Sequence, residues 1–205
     1  MTQEVFEIVK GMDLKNIETQ LALQCAPLLT GIKVSNLLIV PLSNEKMVRG
    51  LLRKTGISCY RLLNTGKKIT FLLFRRKQLE AFLEDQEARE VLKEQGYERF
   101  TLGGILADFQ KRYQEYKDGI LPFPHEMGIL LGYPIEDVTG FIHNKGKNYL
   151  YSGYWKVYGN IHEKLDLFQR YQKAKETLIQ LLASGFSMES IIESYGKNEL
   201  QNAAV

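Results

Sequence analysis

Ile57–Phe74, ISCYRLLNTGKKITFLLF, decides the fold class. Two apolar runs, Ile57 to Leu63 and Ile69 to Phe74, are rich in the residue types that fit a pleated surface, and Asn64-Thr65-Gly66 between them is turn chemistry. Together they read as a β-hairpin with a loop of about four or five residues. Upstream, Asn36 to Pro41 (NLLIVP) reads as a short buried strand. Between it and the hairpin, Ser43 and Glu45 open a helix that turns Met47, Val48, Leu51 and Leu52 inward and closes at Gly56. Asp13 is placed to cap an earlier helix whose apolar positions Leu14, Ile17, Leu21 and Cys25 share a face, with Pro27 and Gly31 ending or redirecting it.

Downstream of Arg76 the spacing becomes helical. A phase break at Glu84 and Asp85 divides two helices before Gly96, and Thr101 opens a third that stops at Gly119. Pro124 and Pro134 each suit a first helical position, with exits at Gly132 and Gly146. Tyr149 to Tyr158 alternates as one strand. Asn160 and Glu163 resemble a capping box for a long helix to Ala183, and Ser187 opens a last one. This order predicts an α+β fold: a small mixed or antiparallel sheet of about four strands packed by several helices, with a helix-rich C-terminal half. The expected organisation is a single domain over 1–196 with a frayed tail over 197–205.

The chain has 205 residues, 44% of them hydrophobic, and a formal net charge of +3. No apolar run reaches the roughly 20 residues that span a bilayer, and the N-terminus carries no basic start followed by a small-residue cleavage site. Cys25 and Cys59 have no CxxC spacing, which fits free thiols in a reducing compartment. The expected location is therefore cytoplasmic. Charge is distributed unevenly: Lys46 to Lys77 holds ten basic residues and no acid, whereas Glu80 to Glu98 holds seven acids against two bases. Arg49, Arg53, Lys54, Lys67, Lys68, Arg75 and Arg76 are the candidate contacts to a polyanion, although no recognisable nucleic-acid motif accompanies them.

Phe123 to Gly159, FPHEMGILLGYPIEDVTGFIHNKGKNYLYSGYWKVYG, packs eight aromatics, six glycines and two of the three histidines into 37 residues. Such a stretch builds either a tight core or a ligand cleft. As a cleft, His125 and Glu126 stand in the first turn of the Pro124 helix, where free N–H groups favour an anion. Lys145, Lys147 and Lys156 supply charge, while Tyr154, Trp155 and Tyr158 offer stacking area. On an alternating strand Tyr149, Tyr151, Trp155 and Val157 share one face and Tyr154, Lys156 and Tyr158 the other. Asn144-Lys145-Gly146-Lys147-Asn148 lacks the pattern and the strand-to-helix order of a phosphate loop and reads as a helix C-cap. His125, His143 and His162 are not spaced as zinc ligands, so no metal site is expected, and no cofactor can be named. A thiol nucleophile at Cys25 with His125 as base, oriented by Glu126, Asp137 or Asn144, is the catalytic alternative.

Two segments carry a family resemblance: APLLTGIK with SNLLIV at Ala26 to Val40, and the FPHE, LGYP, EDV, GFI, NKGKNY and GYWKVYG string at Phe123 to Gly159. With them the chain resembles a bacterial family known as domain of unknown function 3793. The resemblance implies no activity, cofactor or catalytic residue. It does keep a flavodoxin-like redox partner among the candidate partners. A histidine often stands before the cysteine in that family, where this chain has Gln24. The functional expectation is an accessory or binding protein with a pocket for a small anionic or aromatic ligand walled by 123–159. The alternatives are a Cys25/His125 thiol-dependent hydrolase or transferase and an adaptor for nucleic acid or protein working through 46–77.

Overall fold

The turn at Thr65-Gly66-Lys67 closes an antiparallel hairpin, with Gly66 at φ +79°, a conformation costly for any residue with a Cβ. This and every other element come from a computed structural model that describes residues 1–202 and side chains through 196. The frayed tail expected over 197–205 lies outside the residues described in full. In chain order the elements are α1 (Gln3–Gly11), α2 (Ile17–Leu29), β1 (Ser35–Pro41), a 3-10 turn (Leu42–Asn44), α3 (Glu45–Leu52), β2 (Ile57–Asn64), β3 (Lys68–Arg75), α4 (Arg76–Glu84), α5 (Gln86–Glu94), α6 (Leu102–Lys117), α7 (Met127–Leu130), α8 (Ile135–His143), β4 (Tyr151–Ser152), β5 (Lys156–Val157), α9 (Ile161–Ala183) and α10 (Met188–Asn202). The fold is α+β and rich in helix toward the C-terminus. Its sheet has three antiparallel strands in the order β1-β3-β2, and β4-β5 form a separate two-stranded hairpin. Within the span read from sequence as one domain, the structure separates two compact units, Met1–Arg75 with Gln169–Val205, and Arg76–Phe168.

In the first unit β3 is central and buried along nearly its whole length. Its Ile69, Phe71 and Leu73 join Leu38 and Val40 of β1, Leu21, Cys25, Leu28 and Leu29 of α2, and Leu178, Ile179, Ile191 and Ile192 of α9 and α10 in one core. Asn16, not Asp13, caps α2: its side-chain oxygen accepts from Glu18 N at 2.8 Å and Thr19 N at 3.4 Å, while Asp13 closes a turn onto Lys15 N. Pro27 lies inside α2 rather than ending it, and the helix runs on to Leu29, with Gly31 at φ +79° just beyond. Met47, expected inward, is 55% exposed, because α3 is two turns long and Val48 and Leu52, with the half-buried Leu51, fill its core face.

β1 is a sheet edge, and edges recruit other strands unless they are blocked. Gln24 of α2 occupies this one, accepting from Ile39 N at 3.1 Å and donating to Ile39 O at 3.4 Å. Asn36 adds bonds to the Gln24 and Leu37 carbonyls. Gln24→Ala should cost about 1 kcal/mol in urea unfolding, the net worth of one backbone-to-side-chain pairing, and should raise light scattering near the midpoint as the edge opens. An unchanged midpoint with no added scattering would show the clamp to be idle.

In the second unit Asp85 and Thr101 cap α5 and α6. The helix expected from Pro124 is the four-residue α7, which starts at Met127 after a turn through His125 and Glu126. Pro134 is the N-cap of α8 rather than its first residue. The expected continuous strand Tyr149 to Tyr158 is instead broken at Gly153-Tyr154-Trp155 into β4 and β5. A side chain at Gly153 would meet the Phe168 ring at 2.4 Å, so only glycine lets this turn close against α9. Asn160, expected to cap α9, sits at φ +46° and donates instead to the Glu136 carboxylate. Among the described residues no helix is long and apolar enough to cross a membrane.

Candidate ligand cavity

The 123–159 segment folds around a cavity of about 360 Å³, lined from Phe123, His125, Met127 and Gly128 through Tyr133, Asp137, Val138 and Phe141 to Gly153, Tyr154, Trp155 and Lys156. Asp137 and Phe141, four residues apart, project from one face of α8, and Tyr133 stands just ahead of its N-cap Pro134. The four-residue spacing is the signal by which sequence could have found the first two. Gly128 brings α7 close to α8, since a Cβ there would lie 2.7 Å from Val138. Across the cavity, the broken hairpin presents Tyr154 and Trp155 at its turn and Lys156 at the start of β5.

Aromatic contacts set the walls. Trp155 stacks on Tyr133 with ring centroids 4.6 Å apart and meets Phe168 edge-on at 4.6 Å, while Tyr154 lies 5.4 Å from Phe168. On the other side a run of tilted rings joins Phe123 to His125 at 5.5 Å and His125 to Phe141 at 5.0 Å. Asp137 is buried and satisfies three donors: Trp155 Nε1 and Tyr158 N, each at 2.7 Å, and Gly159 N at 3.4 Å. It thereby fixes the indole plane and ties α8 to β5. Lys156 Nζ donates to Gly146 O at 2.6 Å and lies 4.7 Å from the Tyr149 ring and 5.6 Å from that of Phe141. Two of the lining aromatics, Phe123 and Tyr154, are exposed and mark the cavity's open side.

Against this geometry, the model of the family described as a protein of unknown function, DUF3793, matches residues 21–192. The chain belongs to that family. No curated protein and no solved structure matches it. All of the cavity lining falls inside the stretch that matches DUF3793.

The candidate residues divide sharply. His125, Tyr154, Trp155 and Lys156 line the cavity. Glu126 does not: its side chain is fully buried, and its Oε1 accepts from Arg112 Nε at 2.7 Å and Tyr97 hydroxyl at 3.1 Å, locking the turn before α7 to α6. That partnership, with α7 only four residues long, replaces the expected helix-mouth role. Lys145 and Lys147 are exposed on the turn after α8 and lie off the lining, as does Tyr158, whose ring covers Gly140 so closely that a Cβ there would come within 2.5 Å. Of the Tyr149, Tyr151, Trp155 and Val157 face, only Trp155 and Val157 are buried, because the break at Gly153 turns Tyr149 and Tyr151 outward.

Cys25 belongs to the first unit, in the middle of α2 rather than at a helix end. It is fully buried, with Asn36 Nδ2 3.5 Å and Leu37 O 3.6 Å from its sulfur. Burial pushes its thiol up to about 12, so the nucleophilic thiolate is missing at neutral pH. Burial also raises Cys59, to about 11. Neither thiol should react with iodoacetamide at pH 7.5 until the protein is unfolded in guanidinium, when both should. Rapid modification of folded Cys25 would restore the thiol-enzyme alternative.

The basic residues are spread out. Arg49 pairs with Glu45 on its own helix at 3.0 Å, as Arg76 does with Glu80, and Arg75 reaches Leu29 O. Arg53 and Lys54 are exposed beyond α3, and Lys67 and Lys68 are exposed at the hairpin turn. Lys68 and Arg75 stand at opposite ends of β3, roughly 23 Å apart at strand rise. Among the described residues no group of three or more His, Cys, Asp or Glu is arranged to hold a metal ion.

Proposed function

We propose that this protein is a bacterial, cytoplasmic accessory or binding protein whose 123–159 cavity takes a small planar ligand. The observation that carries the reading is the lining itself: stacked and tilted aromatic rings enclose about 360 Å³, a size suited to a ligand of one to three fused rings. Aromatic walls favour flat ligands because stacking adds to area burial. A few fixed polar groups, Lys156 and His125 among them, supply orientation. Two free cysteines fit a reducing compartment. A flavodoxin-like redox partner would be a second interaction and is independent of the cavity.

Native mass spectrometry with an absorbance spectrum of the gently purified protein tests this reading. A small-molecule adduct that Tyr154→Ala loses is the expected result. Tyr154 suits this test because it is 40% exposed, whereas Trp155, at 9%, is core as much as wall and its removal would also destabilise the unit. A bare polypeptide mass, or an adduct indifferent to Tyr154, would contradict the reading.

A further inference from the structure

Lys156 differs from the salt-bridged cations of this protein. Lys10, Arg49, Arg76, Arg99, Lys111, Arg112 and Lys164 are each bridged to a carboxylate. Lys156, half-buried on the cavity wall, has no carboxylate partner among the described residues. Its ammonium is held by a carbonyl, that of Gly146, and by the faces of Tyr149 and Phe141. One hydrogen bond leaves two of its three N–H donors to spare.

Neutral acceptors and ring faces position the ammonium without cancelling its charge, so an incoming anion meets a preorganised, partly desolvated cation. His125 adds a ring nitrogen on the same wall, its ring 5.0 Å from that of Phe141. The acid on the lining, Asp137, already accepts from three N–H donors, which offset its charge locally. The cavity is thus polarised: the Tyr133–Trp155 stack, anchored by Asp137, offers ring area, and the Phe141 side offers the free cation.

We propose that the cavity's ligands are aromatic acids, with the ring system seated against Tyr133, Tyr154 and Trp155 and one carboxylate paired to Lys156. This deepens the planar-ligand reading and rests on it. Selectivity for acid over neutral isostere then belongs to Lys156 alone, whereas ring affinity belongs to the aromatic walls. A charge-assisted pair replacing a neutral one should be worth at least about tenfold in affinity.

Calorimetric titration with 2-naphthoate, 2-naphthamide and 2-naphthylmethylammonium separates the two layers. In the wild type, 2-naphthoate should bind at least about tenfold tighter than the amide, and the ammonium weaker than both. In Lys156→Met the acid preference should shrink to within about threefold while amide affinity is kept, which shows that the variant still has its pocket. Equal binding of acid and amide, tighter binding of the cation, or an acid preference that survives in Lys156→Met would overturn the inference and leave the planar-ligand reading standing. Failure of all three probes to bind would overturn the planar-ligand reading itself.

Discussion

Asp137→Ala should lower the stability of the second unit by about 3 kcal/mol, with a drop of roughly 12–24 °C in its melting transition. The carboxylate is 2% exposed and is the acceptor for the indole N–H of Trp155 and for the backbone N–H groups of Tyr158 and Gly159. Alanine leaves all three donors inside the protein without it, and buried donors that lose a charged acceptor cost more than the bond was worth. Asp137→Asn keeps one carbonyl oxygen and should cost about half as much. Because Trp155 is the chain's single tryptophan, its emission reports this unit directly. It should shift in Asp137→Ala even where circular dichroism shows the fold retained. A transition within about 1 kcal/mol of wild type would mean that Asp137 does not hold the hairpin to α8.

Lys33→Met should act in the opposite direction, raising the stability of the first unit by about 2 kcal/mol at pH 7. Lys33 is 7% exposed, donates to Asn36 Oδ1 at 3.1 Å and lies near Cys25, and burial brings its ammonium down to about 8 from an ordinary 10.5. A base with a depressed folded pKa is a burden while charged. The penalty is full below about pH 8 and fades as pH rises toward 10.5, so Lys33 alone makes stability climb over that window. Cys25 works the other way: burial raises its thiol to about 12 from 9.0, so the stability gained from keeping it neutral is lost as pH rises from 9 toward 12. Cys59, raised by burial to about 11, adds a second loss from pH 9, so the wild type should gain stability from pH 8 to about 9 and lose it slowly beyond, whereas Lys33→Met should lack the rise and fall more steeply. Urea midpoints between pH 7 and 10 check this, and a Lys33→Met protein less stable than wild type at pH 7 would refute it.

The sheet was readable because its signals are local. Apolar runs either side of Asn64-Thr65-Gly66 specify a hairpin with no help from tertiary structure, and Asp85, Thr101 and Ser187 mark helix starts through their own side chains. The errors came where distant contacts override local preference. Pro27 stays inside α2 because that helix is buried in the core, and Asn160 abandons α9 for Glu136, whose carboxylate also takes Lys164 at 2.6 Å. Tyr149 to Tyr158 has the alternation of one strand, but Gly153 folds it back against Phe168, a residue 15 positions later. Helix α1 carries a weak sequence signal because its apolar stripe buries only Val5 fully, although Thr2 caps it.

For the cavity, density of aromatics and glycines pointed to the right segment, and its turn residues Tyr154, Trp155 and Lys156 were legible as a group. Tyr133 was not, since it precedes the extended N-cap Pro134 and its place on the wall is set by its stack on Trp155 of the distant hairpin. Glu126 misled for a physical reason: an acid after a proline suits a helix mouth, but here Arg112 and Tyr97 sequester it. The partner that decides its role lies 14 residues upstream, on α6.

The account stands on the cavity being a binding site, and the indole N–H of Trp155 is placed to report on it. One tryptophan gives one indole cross-peak in a nitrogen-15 correlation spectrum, from a group hydrogen-bonded to Asp137 on the cavity wall. Titration with 2-naphthoate should move that peak progressively to a saturating limit, with the backbone peaks of Tyr154 and Lys156 following and those of β1 and α2 unmoved. A Trp155 peak that stays in place through millimolar 2-naphthoate would contradict the account.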